Sequence, residues 1–164
     1  MSPEQAKAVG DFLIADFEHE MQTTLKILAA VPADRLDYAP DGKSTTALGL
    51  IRHIPTLDAW LLNSIADGTF DAPPASPEAC GIATPEDAVA CYKEKVAAAL
   101  DRVRGLSPEQ LAGIIDFFGM MQLPAVSLIQ LTIKHSVHHR GQLSTYLRPM
   151  GAKVPAIYGQ SGDK

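Results

Sequence analysis

Apolar residues recur at intervals of three and four along four stretches of this 164-residue chain, the spacing of amphipathic helices. Cap residues, prolines and glycines bound each stretch. The predicted helices run from Ser2-Pro3 to Val31, from Ser44 or Thr45 to Ala66, from Thr84-Pro85 to Arg104, and from Leu123-Pro124 to Arg148. Four helices of about 20 residues predict an all-α, up-and-down-type four-helix bundle with long crossover loops, forming one domain over residues 1–164.

The pattern is less regular at Pro55 in the second helix and in the segments that connect the helices. Pro55 lies inside the second helix, which predicts either a kink or a later helix start. Prolines and glycines make residues 68–83 the longest predicted loop. Ser107 and Pro108 resemble a short helical start, and residues 116–122, with Gly119 in the middle, form either an extended pair or a loop.

The first helix presents an apolar stripe formed by Val9, Leu13, Phe17, Met21 and Leu28.

Histidines are the residues with the clearest chemical potential. There are five of them, His19, His53, His135, His138 and His139. His135 and His139 are four residues apart, so their Cβ atoms lie about 6 Å apart on one helix face. That face also carries leucines, as does the face of His53 on the second helix, so all three rings point inward. Buried imidazoles need partners, and either ordinary hydrogen bonds or one shared divalent metal ion would supply them.

The two remaining histidines fit other positions. His138 lies to the side of the inward stripe, as a helper or a surface residue, and His19 lies on a polar face.

The fourth helix is apolar on a second side. That side is formed by Val126, Ile129, Ile133 and Val137. A helix that is apolar on two sides is usually buried on two sides, so we expect a homodimer contact or a central position within a crowded monomer. Arg140 would then either receive a substrate carboxylate near the site or contact the partner subunit.

Composition excludes several classes of function. The net charge of −5, with no dense basic run, argues against a nucleic-acid binder. No apolar run reaches the length of a membrane span, and we identify no signal peptide. With Cys80 and Cys91 interpreted as reduced thiols, we expect a cytoplasmic protein acting on a small molecule. We find no Ser-His-Asp arrangement, no glycine-rich phosphate loop and no CxxC motif that would indicate other chemistry.

Several segments together resemble one known family. They are HSVHHRGQL at 135–143, LIRHI at 50–54, AVPADRLDYAP at 30–40 and GAKVPAIYG at 151–159. The pattern resembles the DinB-like (damage-inducible) family of metal-binding four-helix bundles. The resemblance implies a site near one end of the bundle, with His53, His135 and His139 binding one nickel, zinc or iron ion. It also implies frequent homodimers.

The resemblance allows two classes of enzyme. Three histidines leave coordination positions open, which is typical of catalytic rather than structural sites. Some relatives resemble metal-dependent hydrolases that use a metal-bound water, and others transfer low-molecular-weight thiols such as mycothiol or bacillithiol. We favour a metal-dependent enzyme that activates a low-molecular-weight thiol for S-transfer to an electrophilic small molecule. A non-catalytic, stress-induced binding module with a structural metal is the third alternative.

No catalytic residue is assigned from the sequence, but four side chains are pocket candidates. Gln142, one turn from His139, is expected to bind a ligand or support a histidine. Glu20 is expected to accept a hydrogen bond from a metal-ligating histidine, as metal sites usually require. Trp60 and Tyr146 would either line the pocket or pack in the core.

Overall fold

A computed structural model describes residues 1–72 and 76–163 of the chain. The elements are α1 (Pro3–Ala29), α2 (Ala47–Asp67), α3 (Pro85–Cys91), α4 (Ala97–Arg104), α5 (Pro108–Ala112), β1 (Ile114–Phe117), β2 (Met121–Pro124) and α6 (Ala125–Leu147). A π-helical turn, Tyr92–Val96, joins α3 and α4 into one helical rod. The predicted helical bundle is confirmed, with one antiparallel hairpin of β1 and β2 in the segment left open between an extended pair and a loop.

Capping boxes set three of the helix starts. The Ser2 hydroxyl accepts from the Gln5 backbone N–H, and the Gln5 side chain accepts from the Ser2 N–H. Thr84 begins α3 and Ser107 begins α5 in the same way. These three starts are the predicted ones, because each cap is followed by a proline and then by an acceptor three residues after the cap. Helix α2 is capped by Thr46, one or two residues later than predicted.

Pro55 does not interrupt α2. The helix begins at Ala47, one or two residues later than predicted, and continues through Pro55 to Asp67. Proline lacks the N–H that would bond the carbonyl of Ile51, four residues earlier. The kink at this position stays a prediction.

Side-chain contacts show how the helices run. Tyr146 near the end of α6 donates to the carbonyl of Thr45, just before α2, so α2 and α6 are antiparallel. Asp67 at the end of α2 pairs with Arg102 at the end of α4, so α2 and the α3–α4 rod run in the same direction. Helix α1 packs against α6 and antiparallel to the rod, since Glu18 pairs with Arg104 at the end of the rod while Ala29, at the end of α1, lies beside Pro85 at the start of the rod. The directions are therefore up, down, down and up.

This order explains the long crossover loops. Because α2 and α3 run in the same direction, the connection between them, residues 68–84, must return along the bundle. A short 3₁₀ turn, Pro77–Cys80, forms in that connection. Residues 73–75 of the predicted loop lie outside the described residues. In the part of the chain that the structure covers, no helix combines the length and apolar character needed to cross a bilayer.

The core faces differ from prediction on two helices. On α1, Val9 is 39% exposed, because Gly10 occupies the inward position there and lies against Leu111. On α6, the second apolar side is buried within the protomer: Val126, Ile129 and Ile133 are at most 9% exposed. That side therefore gives no support to the homodimer, which stays a prediction.

Arg140 is the largest fully buried side chain and is 1% exposed. Its Nη1 donates to the carboxylate of Glu20, and to Thr24 Oγ1 at 3.4 Å. Its Nη2 donates to the Tyr158 hydroxyl, 2.5 Å away. The two roles expected for Arg140, at the site or at a subunit contact, are therefore wrong. Arg140 instead ties α6 to α1 and to the C-terminal tail.

Removing this guanidinium should destabilise the fold strongly. Arg140→Met leaves the Glu20 carboxylate buried without its cation, which should lower the free energy of unfolding by about 3–5 kcal/mol. Arg148→Met is the matched control, because Arg148 is exposed and pairs with Asp163 at the protein surface, so this variant should lose less than about 1 kcal/mol. Urea denaturation followed by circular dichroism measures both values. Equal losses for the two variants would contradict the structural role of Arg140.

Candidate metal centre

Three imidazole rings meet between α2 and α6. The Nε2 atom of His53 lies 3.1 Å from Nε2 of His135 and 3.1 Å from Nε2 of His139. The three side chains each offer one nitrogen within 4.8 Å of the others. A zinc-type ion at 2.0–2.1 Å from each nitrogen needs nitrogens roughly 3 Å apart. The two separations from His53 match that requirement.

The helices bring the rings together for simple reasons. His135 and His139 are one turn apart on α6, and antiparallel packing places the first half of α2 beside the second half of α6. His53 therefore faces the pair from the neighbouring helix.

Hydrogen bonds on the other ring nitrogens fix which tautomers are present. His135 Nδ1 lies 2.9 Å from Asp58 Oδ1, and His139 Nδ1 lies 3.1 Å from Gln142 Oε1. Both oxygens are acceptors, so each ring donates through Nδ1–H and its Nε2 carries a lone pair. A single proton on His53 Nε2 cannot form good hydrogen bonds to the Nε2 lone pairs of both His135 and His139. One metal cation, in contrast, can be coordinated by all three nitrogens. The donor set thus fits a metal ion.

Burial keeps the rings in the form that binds metals. Burial, and then the neighbouring His139 and His135 rings, together lower the pKa of His53 to about 4. Burial also lowers the pKa of His139, partly offset by the hydrogen bond to Gln142. At neutral pH both rings are therefore uncharged, which is the ligating form of imidazole.

Sequence reasoning missed Asp58. Its side chain is fully buried and accepts hydrogen bonds from His135 and from the Tyr92 hydroxyl. The signal was available, because Asp58 lies four residues after Ile54 and four before Leu62, both of which are buried. A charged residue on an apolar stripe needs a partner. Here that partner is the Nδ1–H of His135, whose ring would gain positive character on binding a metal.

Two of the four pocket candidates, Gln142 and Glu20, have polar side chains. Gln142 contacts His139, the histidine-supporting role considered for it. Glu20 does not take the expected hydrogen bond from a histidine. Its carboxylate is occupied by the buried Arg140 and by the Tyr158 hydroxyl, while Asp58 is the acceptor for His135.

The two aromatic candidates contact other aromatic residues. Trp60 packs against Phe70 and Phe118 and donates to the carbonyl of Ala72. Tyr146 is buried and packs edge-on against Tyr38. The contacts of both rings are therefore packing contacts with other aromatic residues and not contacts with the histidine cluster.

The remaining histidines lie outside the cluster. The ring of His138 is exposed, 4.8 Å from that of His139 between centroids, and His19 is exposed on α1.

A cleft opens beside two of the clustered histidines. It has a volume of 270 Å³ and is lined by Thr45, Gly49, Leu50, His53, Glu78 and His139. Glu78 belongs to the 3₁₀ turn of the connection between α2 and α3. Its own backbone N–H, and then the Ser76 hydroxyl, hold the pKa of this carboxyl below its usual range. The cleft gives a small molecule access to the histidine cluster.

Two proteins of Bacillus subtilis (strain 168) are similar in sequence to this chain. The chain is 30% identical over 152 residues to the uncharacterized protein YjoA of Bacillus subtilis (strain 168), covering 90% of this chain and 95% of YjoA. It is 28% identical over 158 residues to the uncharacterized protein YrdA of the same organism, covering 94% of this chain and 90% of YrdA.

Solved structures show the same fold. The crystal structure of the DinB-like protein YjoA matches with a TM-score of 0.72 at 30% identity, over 90% of this chain and 97% of that one. A DinB-like protein from Bacillus cereus ATCC 10987 matches in fold with a TM-score of 0.74 at 23% identity, over 89% and 95%. The model of the DinB family matches residues 5–163. The chain belongs to the DinB family.

Proposed function

We propose that this protein is a metal-dependent enzyme that activates a low-molecular-weight thiol for S-transfer to an electrophilic small molecule. His53, His135 and His139 would hold one divalent ion. The observation that supports this proposal is the convergence of three Nε2 atoms, two of them with lone pairs directed by Asp58 and Gln142.

The number of protein ligands favours a reactive site over a structural one. Structural zinc sites close with four protein ligands, whereas catalytic sites keep a position open. Among the described residues, the cluster of candidate ligands contains three histidines. When bound on three imidazoles, a divalent ion would supply Lewis acidity and stabilise a thiolate at neutral pH.

The residues around the cleft support a small substrate. Leu50, Gly49 and Thr45 form a narrow wall beside His53 and His139. The volume of 270 Å³ is slightly below the range of about 300–1,000 Å³ that is usual for ligand pockets, and it suits a small thiol better than a macromolecule. A compact cleft of this kind orients a thiol and an electrophile by excluding other poses.

Metal content tests the ligand assignment directly. After loading with nickel, zinc or iron(II) and removal of excess, the wild-type protein should retain one ion per chain by elemental analysis. His53→Ala, His135→Ala and His139→Ala should each lose most of it, because two imidazoles bind far more weakly than three. His19→Ala and His138→Ala are the matched controls and should retain one ion. Full retention in the three ligand variants would show that the metal binds elsewhere.

Turnover tests the class of reaction. With glutathione or cysteine and 1-chloro-2,4-dinitrobenzene, the sulfur–carbon bond forms as chloride and a proton leave, and absorbance reports the product. The metal-loaded protein should accelerate this reaction, and chelation or His53→Ala should abolish the acceleration. Thiol-independent hydrolysis of p-nitrophenyl acetate that requires the metal would replace our proposal with a hydrolase. No turnover, together with a lower Tm after chelation, would show a structural metal instead.

A further inference from the structure

We propose that Asp58 and Tyr92 are positioning residues that fix the tautomer and orientation of His135, so that its Nε2 lone pair faces the metal position. The inference deepens the proposed function and depends on it only for the identity of the bound ion. The hydrogen-bonded chain itself, Tyr92–Asp58–His135, is observed directly in the structure.

The two carboxylate oxygens of Asp58 accept hydrogen bonds from two different helical units. Oδ1 accepts from His135 Nδ1 at 2.9 Å, and Oδ2 accepts from the Tyr92 hydroxyl at 3.1 Å. Both Asp58 and Tyr92 are 0% exposed, so water does not compete for these bonds. A carboxylate held at both oxygens has a fixed plane, and it therefore fixes the plane of the imidazole that donates to it.

The Tyr92 hydroxyl lies where all four helical units meet. It donates to Asp58 on α2, lies 3.4 Å from Ser136 Oγ on α6, and also contacts the Thr24 side chain on α1. Burial raises the pKa of Tyr92 well above its ordinary value, so the hydroxyl keeps the proton that it donates. The position of Asp58 is thus set by the whole bundle rather than by α2 alone.

The backbone around Tyr92 is specialised for this position. Tyr92 is the first residue of the π-helical turn Tyr92–Val96, and such turns inside α-helices are frequent at functional sites. Ala88, Tyr92 and Val96, four residues apart in succession, lie on one buried face of the rod. The rod therefore delivers a long polar side chain to the depth of Asp58 without exposing its apolar neighbours.

The consequence for His135 is a choice between two tautomers. A neutral imidazole carries its proton on Nδ1 or on Nε2. With Asp58 in place the proton stays on Nδ1, and Nε2 is available as a ligand. Without an acceptor the Nε2–H form becomes populated and the lone pair is lost from the site. Loss of such an acceptor typically weakens metal binding 10- to 100-fold, roughly.

Three variants separate the steps of the chain. Asp58→Leu removes the acceptor, Asp58→Asn keeps an acceptor oxygen but removes the charge, and Tyr92→Phe removes the hydroxyl that orients Asp58. Asp87→Asn is the matched control, because Asp87 caps α3 and contacts no histidine. Circular dichroism checks that each variant folds.

The first measurement uses the metal-free protein. Nitrogen-15 NMR of the imidazoles at neutral pH should show His135 as the Nδ1–H tautomer in wild type and in Asp87→Asn. Asp58→Leu should shift it toward Nε2–H, with smaller shifts in the other two variants. An unchanged tautomer in folded Asp58→Leu would overturn the inference. If that variant does not fold, an unchanged His135 spectrum in both Asp58→Asn and Tyr92→Phe overturns it.

The second measurement is zinc affinity, by competition with a chromophoric chelator. Asp58→Leu should bind zinc about 10- to 100-fold more weakly than wild type, and Tyr92→Phe should lose less. Zinc binding within twofold of wild type in folded Asp58→Leu would overturn the positioning role. Failure of the wild-type protein to bind any metal would instead overturn the proposed function, and the tautomer measurement would still decide the inference.

Discussion

The buried carboxylate of Asp58 constrains how the helices of this bundle pack. Its negative charge lies in the interior, where it must be matched by donors from other elements. His135 provides one from α6 and Tyr92 provides the other from the α3–α4 rod. Both hydrogen bonds require one relative register of α2, α6 and the α3–α4 rod. Apolar burial alone would tolerate a shift of one helix along another, but these two hydrogen bonds would not.

Helix α6 carries polar interior groups on two sides. His135 and His139 face α2, while Arg140, the next residue, reaches Glu20 on α1 and Tyr158 in the tail. The Arg140 guanidinium and the histidine cluster thus lie on different sides of α6 within one helical turn. This arrangement accounts for a helix that is buried on two sides within a single protomer, without a second subunit covering it.

Periodicity and caps were sufficient to predict the helices, and the inward placement of His53, His135 and His139 followed from the same stripes. Contacts between helices were not predictable in this way. Glu20 is close to the inward stripe of α1, but its partner depended on α1 lying beside α6. The directions of α2 and the α3–α4 rod, and hence the meeting of Asp58 with Tyr92, depend equally on a three-dimensional arrangement that no local pattern encodes.

The connection between α2 and α3 returns along the bundle and contributes Glu78 to one wall of the cleft. The imidazoles, in contrast, belong to packed helices whose interior tolerates little change. Surface connections accept insertions and substitutions far more readily. In a scaffold divided in this manner, the shape of the cleft can change during evolution through substitutions in its wall, while the histidine cluster and the folding of the helices are inherited intact.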